Sequence, residues 1–196
     1  MSTVTRLTLV THAMTDAVQA ARFPVDEPLN ALGRRAVAAL GPLPGADRAD
    51  LIRVGPEART RETAAALGLD GEPDSGLADL DCGAWAGAGM DGLPPEQLMG
   101  WLTDPDQRPH GGESIAGLLE RVRAWLDAIA DPPRRIVAVT HPAIVRAAVL
   151  VALHCPATSF WRLDIPPLSA TTLHRRGPAW TVRLTAQQVA ERAAEW

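Results

Sequence analysis

Two histidines close near-identical apolar runs: His12 ends RLTLVTH and His141 ends RIVAVTH. Imidazole changes between nucleophile, base and cation near neutral pH more readily than any other side chain. Two of them in one pocket could attack a phosphorus atom and hold its oxygens as charge redistributes. Arg59 and Arg61 lie in the first turns of PEARTRETAAALG (56–68). Helix N–H groups and a guanidinium there would together favour a phosphate. A carboxylic acid must then protonate the leaving oxygen, and Asp79 and Asp81 in GLADLDCGAWAG are both candidates. Each of these residues alone has a plainer reading: a structural histidine, a surface arginine, a turn aspartate. Two histidines after matched strands bring the balance near even, and the residues by themselves indicate a phosphate or carboxylate site.

The elements that must carry these groups are legible from periodicity. RLTLVT (6–11), ADLIRVG (49–55) and RIVAVTH (135–141) read as short buried strands. NALGRRAVAALG (30–41), residues 56–68 and PAIVRAAVLVAL (142–153) read as the helices between and after them, with Pro56 at a helix start. SIAGLLERVRAWLDAIA (114–130) is the clearest amphipathic helix, with Ser114 as N-cap, and PPEQLMGWL (94–102) is a shorter one. Residues 70–92, rich in Gly and Asp, predict a long irregular segment. FWRLDI (160–165), SATTLHRR (169–176) and AWTVRL (179–184) are candidate edge strands, and AQQVAERAAE (186–195) a polar closing helix. Strands alternating with helices predict an α/β fold of three layers, α/β/α, with a mostly parallel central sheet. Ligands in such sheets bind beyond the carboxyl ends of the strands, where both histidines fall.

Composition narrows the classes. The 196 residues suit a single domain spanning 1–196, and no apolar run reaches the ~20 residues of a membrane span. The first residues lack the pattern of a secretion signal, and Cys82 and Cys155 form no metal or redox motif, so a cytoplasmic location is expected. A net charge of −4 argues against a nucleic-acid partner. All 19 basic residues are arginine, so any anion site must use arginine, histidine or backbone N–H groups. GAGMDG (87–92) does not join a strand to a helix as a dinucleotide loop requires, and a redox role is set aside.

The order of motifs resembles the histidine phosphatase superfamily, also called phosphoglycerate mutase-like. The family's opening Arg-His-Gly appears as T-H-A at 11–13, and its D-x-P-L-x-x-x-G segment matches DEPLNALG (26–33). GPEARTRETA (55–64) matches S-P-x-x-R-x-x-x-T-A, and DLDCGAWAG (79–87) matches E-x-x-F-G-x-W-x-G. GGES (111–114) and VAVTHPAIVRA (137–147) complete the set. The resemblance implies a phosphoglycerate mutase-like fold and a metal-independent phosphatase that needs no cofactor. It makes His12 the nucleophile that becomes phosphohistidine, Asp79 the general acid, and His141 the second histidine. Arg59 becomes a phosphate-binding residue.

Three positions depart from the family. Thr11 replaces its first arginine, Asp79 its glutamate, and Gly55 its serine. Thr11 is then expected to donate a weaker bond to phosphate. Arg22 is the loop residue expected to reach in as a substitute, with Arg108 and His110 as further candidates. Met14, Phe23, Trp85, Met90 and Trp101 are candidates for an apolar rim, and Cys82 reads as a small buried thiol. The expected partner is a small phosphorylated substrate, with no nucleic acid and no membrane. The edge strands and final helix are candidates for a homodimer contact. The alternative is a catalytically weakened member that binds a phosphorylated ligand or partner.

Overall fold

A computed structural model describes residues 4–189. Strand β1 (Thr5–Thr11) is followed by a short helix α1 (Asp16–Gln19) and by α2 (Ala31–Leu40). Then come β2 (Leu51–Val54), α3 (Ala58–Ala66) and a two-residue β3 (Glu72–Pro73). After an irregular stretch with short 3₁₀ turns, α4 (Pro95–Thr103) and α5 (Ile115–Ala128) lead to β4 (Arg135–Thr140) and α6 (Pro142–Leu153). Strands β5 (Ser169–Arg176) and β6 (Ala179–Gln188) finish the described chain.

The six strands form one sheet in the order β3-β2-β4-β1-β5-β6. Strands β1 to β4 pair in parallel, whereas β5 runs against both of its neighbours. Alternate side chains on each strand enter opposite cores. Leu7, Leu9, Ile136 and Ala138 pack under α5 and α6. Val10, Val137 and Val139 pack under α2 and α3 with Val37, Ala64 and Leu67. Helices therefore cover both faces of a mostly parallel sheet.

Two expectations are corrected. FWRLDI does not make a strand: Ala157–Arg162 form a 3₁₀ turn after Pro156, with Phe160 buried in the core. AQQ does not open a helix, because β6 continues through Gln188 by pairing with the start of β5, Gln187 opposite Ala170. A bulge absorbs the misfit between these strands. The rest of that predicted helix, residues 190–195, lies outside the described residues.

Candidate active site

Each group of the site is placed by a cap or a close backbone contact. The chain leaves β1 at His12, whose N–H donates to the Thr140 carbonyl at 3.0 Å. Ala13 then donates its N–H to the Thr63 hydroxyl of α3, also at 3.0 Å. The DEPLN stretch works as a series of caps: Asp26 accepts from Ala58 N–H, Glu27 from Ala17 N–H, and Asn30 from Gly33 N–H. These bonds satisfy helix N–H groups that would otherwise lack partners. They also lock α3, and with it Arg59, against the loop that follows His12.

His12 is buried, and its Nδ1 lies 2.7 Å from the Ala13 carbonyl. A carbonyl only accepts, so Nδ1 carries the hydrogen and Nε2 keeps its lone pair. Burial lowers the His12 pKa to about 3, helped by His141 and Arg59. The imidazole is therefore neutral near pH 7, as a nucleophile must be. The His141 ring lies 5.2 Å away at a steep angle. Both of its nitrogens face carboxylates, Nε2 at 2.7 Å from Glu57 and Nδ1 at 3.3 Å from Asp79.

Asp79 also accepts from the Arg59 guanidinium at 2.7 Å, and Arg59 donates its other terminal nitrogen to the Val25 carbonyl. Burial pushes the Asp79 carboxyl up, but His141, Arg59 and His12 pull it down further, so it rests below the usual carboxylate range. Glu57 ties the set together by accepting from Asp79 N–H with its second oxygen. Asp81 stands apart, capping the Gly83 N–H in a turn.

A cavity of about 510 Å³ opens beside these groups, with His12, Arg59 and Asp79 in its wall. Arg22, expected to reach in, lines it too, held by a backbone bridge to Gly89. Thr11, expected to bind phosphate, does not line it. Its hydroxyl donates to the Pro166 carbonyl at 2.8 Å and accepts from Ser169 N–H at 3.0 Å, which secures β5 beside β1. Of the expected rim, Phe23, Met90 and Trp101 line the cavity, whereas Met14 and Trp85 do not. His110 packs against Trp85 instead, and Arg108 is exposed. Burial pushes the Cys82 thiol up to about 12, so it is inert as a nucleophile. Among the described residues, no three His, Cys, Asp or Glu side chains are arranged to hold a metal ion.

The architecture and the motif order can now be set beside known proteins. The chain matches the histidine phosphatase superfamily (branch 1) over residues 7–188. It belongs to that family. It is 32% identical to the bifunctional protein Rv2228c of Mycobacterium tuberculosis, over 94% of this chain and 54% of that protein. The chain thus spans about half the length of that protein. It is 25% identical to phosphoserine phosphatase 1 of Hydrogenobacter thermophilus, over 86% of each. The solved structure of mycobacterial glucosyl-3-phosphoglycerate phosphatase Rv2419c with VO3 superposes with a TM-score of 0.80, at 26% identity. The alignment covers 94% of this chain and all of that one.

As a histidine phosphatase superfamily member, the chain holds two site residues that sequence reasoning missed. Glu57 falls at a variable position of the family pattern, so the resemblance is silent about it. Gly55 makes room for it, since a Cβ there would sit 3.1 Å from His141 Nε2 and 3.2 Å from Glu57. The serine-to-glycine departure and the Glu57–His141 pair thus belong together. Arg146 also lines the cavity, its Nε donating to the Leu163 carbonyl at 2.7 Å. Its guanidinium lies over Phe160 and Trp161, and its terminal nitrogens have no hydrogen-bond or ion-pair partner among the described residues. A signal was present: Arg146 is the one charged residue in the otherwise apolar run PAIVRAAVLVAL.

Proposed function

We propose that this chain hydrolyses a small phosphomonoester, without a metal, through a phosphohistidine at His12. The observation that carries the proposal is the His12 imidazole. It is held neutral with Nε2 free, 5.2 Å from His141 and beside the Arg59–Asp79 pair on a cavity wall. Nε2 attacks phosphorus, the bond to the ester oxygen breaks, and Asp79 gives that oxygen a proton. Water then attacks the phosphohistidine, returns a proton to Asp79 and releases phosphate. Asp79 rests ionised, and an incoming phosphate dianion both adds negative charge and competes for Arg59 and His141. Both effects raise its pKa toward the protonated state the first step requires.

Charge balance assigns a role to the unpartnered guanidiniums. Glu57 and Asp79 already engage His141 and Arg59, so these inner donors are largely committed before substrate enters. Arg146 and Arg22 supply the remaining positive charge that the family's missing arginine would have brought. The relatives' names, glucosyl-3-phosphoglycerate phosphatase and phosphoserine phosphatase, support hydrolysis of a phosphomonoester on a small organic body. The apolar wall of Phe23, Trp101 and Trp161 suits such a body.

The committed inner donors also favour a second reading, a weakened member that only binds a phosphorylated ligand. Phosphate release from a panel of phosphomonoesters, with alkaline denaturing quench to trap the acid-labile phosphohistidine, separates the two. The expected result is trapped phosphohistidine, with turnover falling on the order of 10³-fold or more in His12→Ala. A protein that binds inorganic phosphate but forms no phosphoenzyme with any panel member would establish the binder.

A further inference from the structure

At the opposite end of the sheet the side chains on one face change character in three steps. Val139, Val10 and Ala170 are level on β4, β1 and β5 and belong to the apolar core under α2 and α3. One step toward the start of β1 the row is Val137, Thr8 and Thr172. One step further it is Arg135, Arg6 and His174, three cationic or ionisable groups on adjacent strands. Like charges directly opposite one another across strands destabilise a sheet. Neither Arg6 nor Arg135 forms an ion pair among the described residues that would offset this.

The last two rows stand at the edge of that core. Those two rows line a cavity of about 210 Å³ whose far wall is the turn bearing Gly45, Arg48 and Ala49. Thr172 Oγ1, in the floor, is buried and has no hydrogen-bond partner among the described residues. A buried hydroxyl is rarely left so, and a ligand or ordered water usually completes it. We propose that this cleft is a second anion-binding site, which takes a small oxyanion such as phosphate or the phosphate of a monoester. Arg6 and Arg135 provide the charge and Thr172 a hydroxyl donor.

Burial and the Arg6, Arg183 and Arg176 guanidiniums hold the His174 pKa down. Arg48 adds a further cation to the wall. The Asp50 carboxylate accepts from the backbone N–H of Arg135 at 2.7 Å. Arg6 stands six positions before His12 along β1, about 20 Å at ~3.3 Å per residue, so the two sites can be read independently.

NMR of the five histidine rings during a titration with inorganic phosphate, at fixed pH and ionic strength, tests the proposal. His174→Gln assigns the reporter resonance. Phosphate is expected to shift His174 and raise its pKa, with a saturable midpoint of its own. Arg6→Gln with Arg135→Gln is expected to weaken that midpoint tenfold or more, leaving the His12 and His141 responses and the turnover unchanged. Thr172→Val is expected to weaken it severalfold without lowering the melting temperature. A parallel titration with phenylphosphonate separates two ligand sources: equal midpoints assign the free oxyanion, and a tighter one assigns a phosphomonoester. The proposal is overturned by an unmoved His174 at tens of millimolar phosphate. An equal shift from sodium chloride, or an unchanged midpoint in the double variant, would overturn it as well.

Discussion

At the scale of single residues, the site is governed by how each polar atom is already engaged. One carbonyl sets the His12 tautomer, since the Ala13 oxygen takes the Nδ1 hydrogen and leaves Nε2 its lone pair. Arg59 is less available than its position in the motif suggests, because both terminal nitrogens are bonded, one to Asp79 and one to Val25. Arg146 is the reverse case, a half-buried guanidinium with only its Nε committed. A charge-assisted hydrogen bond to an anion contributes about 1.5–3 kcal/mol. Arg146→Ala is therefore expected to raise KM roughly 10- to 100-fold for a phosphomonoester, with kcat changed less. Arg146→Lys should recover part of the loss, because a point charge replaces a fork. Steady-state kinetics on the three proteins checks this, and an unchanged KM would remove Arg146 from substrate binding.

At the scale of elements, the loop after β1 is held in place by helices on both sides, and its tolerances are small. Gly33, in the first turn of α2, lies so close to Met14 that a Cβ would come within 2.2 Å of its carbonyl oxygen and 2.8 Å of its nitrogen. Those are backbone atoms and cannot swing away. Gly33→Ala is expected to lower stability by about 1–3 kcal/mol, the usual effect of overpacking. It should also reduce turnover, because Met14 lies two residues from His12. Gly100→Ala in α4 is the control: a Cβ there meets nothing within 4 Å, so it should stabilise by about 0.5–1 kcal/mol. Urea unfolding with activity assays on both variants distinguishes a packing constraint from a general intolerance of substitution.

For the whole molecule, burying a neutral histidine couples folding to pH. The folded-state pKa of His12, about 3, lies below the unfolded value of 6.5. Between those values the unfolded chain binds a proton that the folded one does not, so stability falls as pH drops from 6.5. Each pH unit in that window removes roughly 1 kcal/mol on account of His12. His110 and His174 are lowered too and add in the same direction. Asp79 and Glu57, both lowered, contribute stability that is present above their unfolded values and lost as pH falls through the folded ones, at more acid pH. The expected profile is flat near neutrality and declines from about pH 6.5, before any carboxylate titrates. His12→Gln should lose less stability than wild type between pH 7 and pH 5 in urea unfolding. Equal losses would show that His12 is not buried as a neutral group.

Local chemistry was enough to specify most of the architecture. Apolar runs of strand length ending in His12 and His141, a helix opened by Ser114, and an alternating strand–helix order all act within a few residues of chain. They are legible without the fold. Motif order nominated His12 as nucleophile and Asp79 as acid. Tertiary structure alone decided what those groups touch. Thr11 turned out to bind Pro166 and Ser169, more than 150 positions along the chain. Glu57 meets His141 only because β2 and β4 lie side by side, and Gly55 leaves the space. FWRLDI and AQQ each have a local pattern that cross-strand pairing and core packing override. The sequence determines which groups are delivered to the end of the sheet. Which of them remain free to meet a ligand depends on hydrogen bonds between distant segments, and these exist only once the chain has folded.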